Sequence, residues 1–467
     1  MIRLFNHYFP VRLALLTLLE GLVLFQSVLV GFYVKLRNPD LPMPALEAAL
    51  FALVMLTMMS AVGLYQTVAE PFRTTLQRLV VAYGMALIVM SVIFYLFDGL
   101  YVSRGVFALS SLFALCSLVM IRLLLCRVTD LGLPKRRVLV LGNGPEAERV
   151  IRQLHQGPQG RAIQYAGLYP VSPQEPAAPS DARDPVAQIQ RIAAAGRSHD
   201  ALLRAVRDLR VSEIVIAVRE RRGGVLPLRQ LLECKLRGVV VMDLVSFHER
   251  EHGLLPLSDL QASWLIFGSG FEQGLWRDVV KRTIDFCTAL VLLVVSLPAL
   301  AVAWTALAML GCRLVLRRDL RVGHGGRTFD MLRLRALRRQ APAAGARSRT
   351  GRAALRLVRW LQRSGLSCLP RLLNVMTGDL SLVGPRAESP RFVWRHAQRL
   401  PYYEVRHSAK PGLTGWAQVK LGFGASARDA IGRLQYDLYY VKNHTLFLDL
   451  MILVESVRLL LAGRSRR

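Results

Sequence analysis

Four long apolar runs near the start of the chain limit what it can fold into more than any other feature. They cover residues 11–34, 45–68, 79–97 and 106–125. Each is close to the length, about 20 residues, with which an α-helix crosses the hydrocarbon core of a bilayer. The first run is too long, and carries Glu20 too deep, for a cleaved signal peptide. The sequence therefore predicts four membrane-spanning helices in a domain of residues 1–127.

The distribution of basic residues predicts which side of the membrane the rest of the chain occupies. The third loop between the apolar runs holds only Arg104 as a basic residue. Four basic residues follow the fourth run, namely Arg127, Lys135, Arg136 and Arg137. Because cytoplasmic flanks of membrane helices are enriched in Lys and Arg, we expect everything after about residue 127 to be cytoplasmic. Glu20, inside the first run, is either a paired acid or a functional one, and we favour pairing.

The composition restricts the partners of this cytoplasmic part. Lys and Arg number 61 against 32 for Asp and Glu, so the formal net charge is +29, while 53% of residues are apolar. Such a chain suits a membrane protein that contacts anionic lipid or phosphorylated ligands. We predict no nucleic-acid partner, since no zinc-finger spacing or RNP-type strand is present. The six scattered cysteines are interpreted as reduced thiols.

A fifth apolar run, residues 284–310, differs from the others because Pro298 lies in its middle, with Ser296 just before it. Proline removes a backbone donor and clashes with the preceding turn, which predicts a sharp kink that breaks the regular helix near Ser296 and Pro298. Basic residues flank both ends of the run, at Arg277, Lys281, Arg282, Arg313, Arg317 and Arg318. This pattern favours a re-entrant helix, about residues 283–311, that enters and leaves on the cytoplasmic face. An ordinary kinked span is the alternative.

The middle of the chain, residues 128–265, has the pattern of an α/β Rossmann-like domain. A buried strand at 137–141 runs into a turn of the form G-x-G-x-x-A, with Gly142, Gly144 and Ala147, followed by a helical stretch. Such a turn can present backbone donors to a phosphate. A strand at 213–218, a helix near 226–237 and a strand at 238–242 continue the alternation, which predicts a parallel sheet with helices on both faces.

The second strand of this domain, about residues 163–168, argues against a bound dinucleotide. It ends in Tyr169-Pro170-Val171 and lacks the acid that usually takes the ribose hydroxyls. A purely structural glycine turn is therefore at least as good an interpretation as cofactor binding. We predict no nicotinamide cofactor.

The last part of the chain, residues 266–467, carries a series of motifs in a fixed order. They occupy residues 281–285, 321–323, 369–375, 378–386, 410–419 and 436–443, followed by Asp449. Gly384-Pro385-Arg386 and Lys410-Pro411-Gly412 are turns that can aim backbone N–H groups and nearby cations at phosphate. The motifs resemble those of the bacterial sugar transferases, the monotopic polyprenyl-phosphate sugar-1-phosphate transferases. Four spans and a Rossmann-like domain in front are similar to the large exopolysaccharide-type members, whose last domain is α-rich.

The resemblance implies a membrane-bound phosphoglycosyl transferase. Such an enzyme transfers sugar-1-phosphate from a UDP-sugar to a polyprenyl phosphate at the cytoplasmic face of the bacterial inner membrane, and thereby initiates exopolysaccharide repeat-unit synthesis. It further implies Mg²⁺ as cofactor, membrane lipid as a partner, and other polysaccharide-assembly proteins as further partners. The substrate- and phosphate-binding residues that it implies are Arg321, Arg333, Arg335, Asp379, Arg386, Lys410 and Gln418.

The chain departs from the family at the catalytic dyad. Members of the family carry Asp-Glu immediately before Leu369-Pro370, where this sequence has Ser367-Cys368. No acid occurs between Asp330 and Asp379. A serine hydroxyl needs a base to act as a nucleophile, and a thiolate is a poor ligand for magnesium.

Three functions therefore stay open. The first is an active transferase that uses Ser367, Cys368 or a nucleophile from elsewhere. The second is a catalytically impaired, transferase-like membrane protein that binds UDP-sugar, lipid phosphate or a partner. The third, a membrane-tethered dinucleotide enzyme, is disfavoured by the missing ribose acid.

Overall fold

The computed structural model describes residues 2–4, 7–9, 11–36, 44–65, 72–97, 103–130, 136–142, 145–156, 163–170, 201–218, 226–267, 270–271, 274–309, 312–338, 356, 358, 368–422 and 429–461. The chain divides into two compact units. Apart from a short N-terminal stretch, the boundary between the units lies between His252 and Gly253.

The first unit contains the four predicted N-terminal helices. Two short strands, β1 (Ile2–Leu4) and β2 (His7–Phe9), precede them. The helices are α1 (Val11–Leu36), α2 (Ala45–Ala61), α3 (Phe72–Leu96) and α4 (Arg104–Asp130). Within them, Ala14–Lys35, Thr75–Tyr95 and Arg104–Leu124 are long and apolar enough to cross a membrane, whereas the apolar part of α2, Ala45–Ser60, is shorter. The helical, membrane-type character predicted for this region is confirmed.

The packing of these helices combines a buried apolar core with one close backbone approach. Leu24, Phe51, Met55, Leu79 and Leu118 are among the buried side chains. At Gly31 a Cβ atom would lie 2.2 Å from the Oγ of Ser110 on α4. Small residues at such a contact allow two membrane helices to pack tightly.

Glu20 is fully buried within this bundle and is paired. Its Oε1 lies 2.8 Å from Nε of Arg122 on α4, and its Oε2 accepts a hydrogen bond from Nη2 of Arg122 over 3.1 Å. The hydroxyl of Tyr65 also donates to the carboxylate. The preference for a paired acid at this position is confirmed.

The rest of the first unit is a four-stranded parallel sheet with helices on both faces. Its elements are β3 (Arg136–Leu141), α5 (Pro145–Gln156), β4 (Ile163–Tyr169), α6 (Ala201–Asp208), β5 (Glu213–Ile216), α7 (Leu228–Leu236), β6 (Val240–Asp243) and α8 (Leu244–His252). The strand order is β4-β3-β5-β6, and the three pairings are parallel. Successive residues of β3 pack on opposite faces of the sheet. Leu139 packs with α6 and α7, and Val140 packs with α5 and α8. The predicted Rossmann-like architecture is confirmed.

The second unit contains one long helix, two strand pairs and a set of short helices. Its elements are α9 (Ala262–Phe267), α10 (Leu275–Met309), β7 (Cys312–Val322), β8 (Thr328–Arg338), α11 (Arg371–Thr377), β9 (Ser381–Val383), α12 (Pro390–Ala397), β10 (Gly412–Thr414), α13 (Trp416–Leu421), α14 (Ala430–Asn443) and α15 (Leu446–Leu461). Strands β7 and β8 pair antiparallel, and β9 and β10 pair parallel. Single 3₁₀ segments occupy His324–Gly326 and Tyr403–Ser408.

Helix α10 is the predicted fifth apolar run, and its residues 276–309 are also long and apolar enough to span a membrane. The helix continues through Pro298 as one element, and the sharp kink expected at this residue stays a prediction. Ser296 Oγ donates to the carbonyl of Leu293 over 3.0 Å. A hydroxyl that bonds back to the preceding turn can bend a helix without ending it. Re-entry of this helix into the same face of the membrane stays a prediction.

The last helix, α15, has a buried side that packs within the second unit. Asp449, Ile452 and Ser456 are buried, and the hydroxyls of Ser456 and Thr414 lie 2.6 Å apart. The buried polar side chains of Asp449 and Ser456 therefore face the interior of the second unit.

Candidate active site around Cys368

The turn that follows β9 and the segment that leads into β10 are held side by side by close-packed glycines. Gly384 N donates to the carbonyl of Thr414 over 2.9 Å, and Gly412 N donates to the carbonyl of Pro385 over 2.9 Å. A Cβ at Gly384 would lie 2.2 Å from the carbonyl oxygen of Lys410. Only glycine permits this contact, because real Cβ atoms do not approach backbone so closely. The arrangement places the Arg386 turn directly beside the segment that begins at Lys410.

The start of α10 fastens this pair of turns to the long helix. Asp285 is buried and accepts a 2.7 Å hydrogen bond from Ser381 Oγ on β9. Lys281 Nζ lies 2.6 Å from Asp449 Oδ2, and the hydroxyl of Tyr440 donates to Oδ1 of the same carboxylate over 2.7 Å. Motifs that are separated along the sequence are thus joined by buried, charge-assisted hydrogen bonds.

The β7–β8 hairpin presents two of the predicted arginines on one face. Arg321 pairs with Phe329, and Arg333 pairs with Arg317. Because residues that face each other, and alternate residues along a strand, share a side of the ribbon, Arg321 and Arg333 lie on the same face. Val322 N donates to the carbonyl of Glu388 over 3.0 Å, which joins this hairpin to the turn that carries Arg386.

Asn374 on α11 joins the same hairpin to the helix that follows Cys368. Its side-chain oxygen accepts from Leu332 N, and its side-chain nitrogen donates to the carbonyl of Asp330, each over 2.9 Å. The amide side chain thereby satisfies one donor and one acceptor at the strand that carries Arg333. Asn374 belongs to the motif at residues 369–375, but the sequence pattern carries no signal of this bracing role.

Arg371 lies within electrostatic range of Cys368 and of three other guanidinium groups, and the four arginines are here called the arginine cluster: Arg321, Arg333, Arg371 and Arg386. Burial lowers the pKa of Arg371, and the positive charges of the other three members lower it further, while Cys368 acts in the opposite direction. Cys368 is half-buried and precedes Arg371 by three residues. Nε of Arg321 and Nε of Arg371 are buried and make no hydrogen bond to the residues that the structure describes. The cluster therefore has strong donors available for an anion.

Glu388 lies at one edge of the cluster and partly compensates its charge. Its Oε1 is 3.7 Å from Nε of Arg386 and 3.4 Å from Nη1 of Arg433. Among the described residues, no three His, Cys, Asp or Glu side chains are grouped so that they could hold a metal ion. The described surroundings of Cys368 thus carry an excess of positive charge.

A buried ion pair behind Arg386 was not anticipated from the sequence. Nη2 of Arg406 lies 2.9 Å from Asp437 Oδ2 and also donates to the backbone carbonyl of Arg386 over 2.9 Å. Burial raises the pKa of Asp437 to about 6, although Arg406 opposes this shift. Arg406 acts as a positioning residue, because it holds the backbone from which Arg386 extends.

The predicted site residues are distributed unevenly over this arrangement. Arg321, Arg333 and Arg386 belong to the arginine cluster, as described. Lys410 is exposed beside the Arg386 turn, and the side-chain oxygen of Gln418 is buried without a partner among the described residues. Asp379 is exposed and accepts a 2.8 Å hydrogen bond from Thr377. Ser367 and the side chain of Arg335 lie outside the described part of the chain.

The glycine turn of the first unit has a structural explanation at its first position. Gly142 has a φ of +144°, and a Cβ there would lie 2.5 Å from the carbonyl oxygen of Ala217. Its N–H already donates to the carbonyl of Tyr169 over 3.0 Å. Ala147 is buried against the sheet, and Gly144 lies outside the described residues. The contacts at Gly142 favour close packing of strand ends over phosphate binding at that residue.

Comparison with known proteins agrees with the order of the domains. Residues 276–463 match the bacterial sugar transferase family, and residues 60–223 match a family described as a CoA-binding domain. A UDP-glucose:undecaprenyl-phosphate glucose-1-phosphate transferase of Caulobacter vibrioides is 35% identical over a segment that covers 39% of this chain and 70% of that relative. The chain belongs to the bacterial sugar transferase family. The resemblance stated from the sequence motifs is thereby confirmed.

Other members of this family match smaller shares of their own length. A UDP-N-acetylgalactosamine-undecaprenyl-phosphate N-acetylgalactosaminephosphotransferase of Aeromonas hydrophila is 29% identical over 51% of this chain and 56% of that relative. A UDP-glucose:undecaprenyl-phosphate glucose-1-phosphate transferase of Xanthomonas campestris is 37% identical over 31% of each protein. The matched segment thus spans between about a third and about two thirds of these sugar transferases.

Proposed function

We propose that this protein transfers sugar-1-phosphate from a UDP-sugar to a polyprenyl phosphate, and so initiates exopolysaccharide repeat-unit synthesis. The observation that carries the proposal is the arginine cluster around Cys368, inside the segment that matches the sugar transferases. Guanidinium groups recognise phosphate oxygens through paired, charge-assisted hydrogen bonds. The relatives whose names state a reaction act on UDP-sugars and undecaprenyl phosphate.

The reaction proposed here meets a difficulty at the position of the family dyad. A carboxylate is charged at neutral pH and can attack phosphorus directly, whereas the Ser367 hydroxyl must first lose a proton. We propose that the chain therefore turns over far more slowly than its relatives. Cys368, half-buried among four arginines, also favours the second candidate function, a transferase-like protein that binds its ligands with little or no chemistry.

Magnesium, which the family resemblance implies, does not suit the described side chains around Cys368. A divalent cation needs hard oxygen ligands, and the cluster offers one thiol and four guanidinium groups instead. Glu388, the carboxylate beside Arg386, is already paired with Arg433 as well. No step of the proposed reaction is routed through a metal ion.

We propose three domains, residues 1–127, 128–265 and 266–467, with α10 as a re-entrant helix at the cytoplasmic face of the inner membrane. Both flanks of α10 are bound to α11. Arg282, near its start, donates to the carbonyls of Val375 and Met376, and β8, which follows its end, is held by Asn374. The start of α10 and the second strand of the hairpin after it are therefore both held by the short helix α11.

A straight α10 would conflict with this connectivity. The helical residues after Asp285 would extend about 36 Å at 1.5 Å per residue, which exceeds a hydrocarbon core of about 30 Å. The β7–β8 hairpin would then have to return through lipid as an open two-stranded sheet with unpaired edges and several arginines. Lipid does not accept open sheet edges, so a bend near Ser296 and Pro298 is the simpler arrangement.

The sidedness of α10 can be tested by cysteine labelling in a background without native cysteines. Asp278→Cys lies in the first turn of α10 and Arg318→Cys lies in β7 beyond its end, both at exposed positions. Each should react with an impermeant maleimide from the cytoplasmic side alone. Arg104→Cys, in the loop predicted to be periplasmic, is the control and should react from the opposite side. Labelling of Arg318→Cys from the periplasm would contradict re-entry.

The transfer itself is tested by incubating membranes that contain the protein with UDP-sugars and polyprenyl phosphate. We expect slow UMP release that depends on the polyprenyl phosphate, together with a lipid-linked sugar phosphate. Nucleotide sugar that is bound but never converted would leave the ligand-binding candidate as the function.

A further inference from the structure

The arginine cluster carries more positive charge than its protein surroundings neutralise. Arg371 and Arg321 are half-buried and are here called the base of the cluster, while Arg333 and Arg386 are exposed. Glu388 approaches Arg386, at 3.7 Å. Guanidinium groups keep their charge at any pH that a protein experiences, so this excess is permanent.

The donors of the cluster are arranged for a ligand with several oxygens. Nε of Arg321 and Nε of Arg371 lack hydrogen-bond partners among the described residues although both atoms are buried. Nη1 of Arg321 reaches the carbonyl of Ala387 only over 3.5 Å, which is a weak contact. A buried donor without a partner is energetically costly, and an anion that accepted from it would remove that penalty.

We propose that the arginine cluster binds the diphosphate of a nucleoside-diphosphate sugar without a divalent metal ion. This inference rests on the proposed function for the identity of the ligand. The diphosphate carries about two negative charges at neutral pH, and the four guanidinium groups supply the compensation that Mg²⁺ supplies at many phosphate sites. Cys368 stands where the family has a carboxylate, so this position of the cluster offers no oxygen ligand for a metal ion.

The residues at the base of the cluster should contribute most to binding. A hydrogen bond between charged groups contributes about 1.5–3 kcal/mol, so loss of one guanidinium corresponds to about a 10-fold to 150-fold weaker affinity. Arg371→Gln and Arg321→Gln remove the charge but keep a polar side chain of similar length. Arg399→Gln, an exposed arginine outside the cluster, makes the same change of net charge and serves as the matched control.

The experiment measures equilibrium binding of UDP and of inorganic pyrophosphate to the full-length protein in detergent, once with EDTA and once with excess Mg²⁺. We expect both probes to bind in EDTA, with affinities within about threefold of those in Mg²⁺, a difference below about 0.7 kcal/mol. Arg371→Gln and Arg321→Gln should weaken binding in EDTA, and Arg399→Gln should not. Thermal unfolding of each variant checks that it is folded.

A reverse variant gives an independent measurement. Cys368→Glu places a carboxylate in the cluster, which should weaken binding of UDP in EDTA and make it depend on Mg²⁺, because the acid repels the diphosphate and can ligate the metal. This change tests the charge of the site without removing any arginine. Binding by Cys368→Glu that is as tight in EDTA as that of the unaltered protein would contradict the inference.

The outcomes separate this inference from the proposed function. If Mg²⁺ strengthens UDP binding to the unaltered protein tenfold or more, a difference of about 1.4 kcal/mol, metal-free binding is overturned. The transferase proposal would still stand. Metal-free binding of pyrophosphate without any binding of UDP would support the diphosphate site and overturn a uridine nucleotide as the substrate. Failure of every probe in both buffers would overturn both.

Discussion

Replacing Ser367 and Cys368 together by Asp and Glu should create or strongly raise the release of UMP from a UDP-sugar. Loss of a covalent nucleophile typically costs about 10⁴- to 10⁶-fold in turnover, so restoring one can recover a large part of that factor. The physical reason is local: the double substitution supplies a nucleophile that is ionised at pH 7 and a hard oxygen ligand for a metal ion. The measurement is the initial rate of UMP release by purified protein in the presence of polyprenyl phosphate.

The matched control for this double variant is Ser367→Asn with Cys368→Gln. It has nearly the same shape but no charge, and it should release no more UMP than the unaltered protein. Robust magnesium-dependent transfer by the unaltered protein, unchanged in Ser367→Ala, would show that the active centre lies elsewhere in the chain. If neither form transfers but both bind UDP-sugar, the site differs from an active one at further positions besides Ser367 and Cys368.

Removing the carboxylate of Glu20 should destabilise the N-terminal helices by about 3–5 kcal/mol. Glu20→Ala leaves the guanidinium of Arg122 without its 2.8 Å partner in an apolar bundle. Breaking a buried ion pair by removing one member is costly because the other charge stays buried and uncompensated. The measurement is the free energy of unfolding in a detergent titration.

The double variant Glu20→Leu with Arg122→Leu tests whether the loss of stability comes from the unpaired charge. It should be more stable than Glu20→Ala, since an apolar replacement of both members leaves no unpaired charge. The exposed pair of Arg152 and Glu148 is the control, and Glu148→Ala should cost less than about 1 kcal/mol. A Glu20→Ala variant as stable as the unaltered protein would contradict the structural role assigned to this ion pair.

Local patterns were sufficient to predict most of the helices and the parallel sheet. The apolar runs of the N-terminal part are long, and the strand at 137–141 is a continuous apolar segment followed by a glycine turn. These signals depend on residues that are neighbours in the sequence. The structure places α1, α3 and α4 and the strands of the sheet where such signals occur.

The geometry of the site could not be predicted in the same way. Arg321, Arg371 and Arg386 approach one another through a hairpin, a short helix and a turn whose contacts are not local. The pairing of Arg406 with Asp437 joins residues on two elements, and neither residue type signals burial by itself. Pro298 lies inside one helical element, near a serine hydroxyl that bonds back to the preceding turn, so the proline by itself indicated a kink but not where the helix begins or ends.

The most direct test of the account is the fate of the β-phosphate of the donor. UDP-sugar labelled with ³²P at the β-phosphate and ³H in the sugar is incubated with polyprenyl phosphate and either the unaltered protein or the Ser367→Asp, Cys368→Glu variant. Sugar-1-phosphate transfer predicts that both labels enter the lipid fraction in equal amounts, slowly for the unaltered protein and much faster for the variant. Entry of ³H alone, with ³²P retained in UDP, would contradict the account.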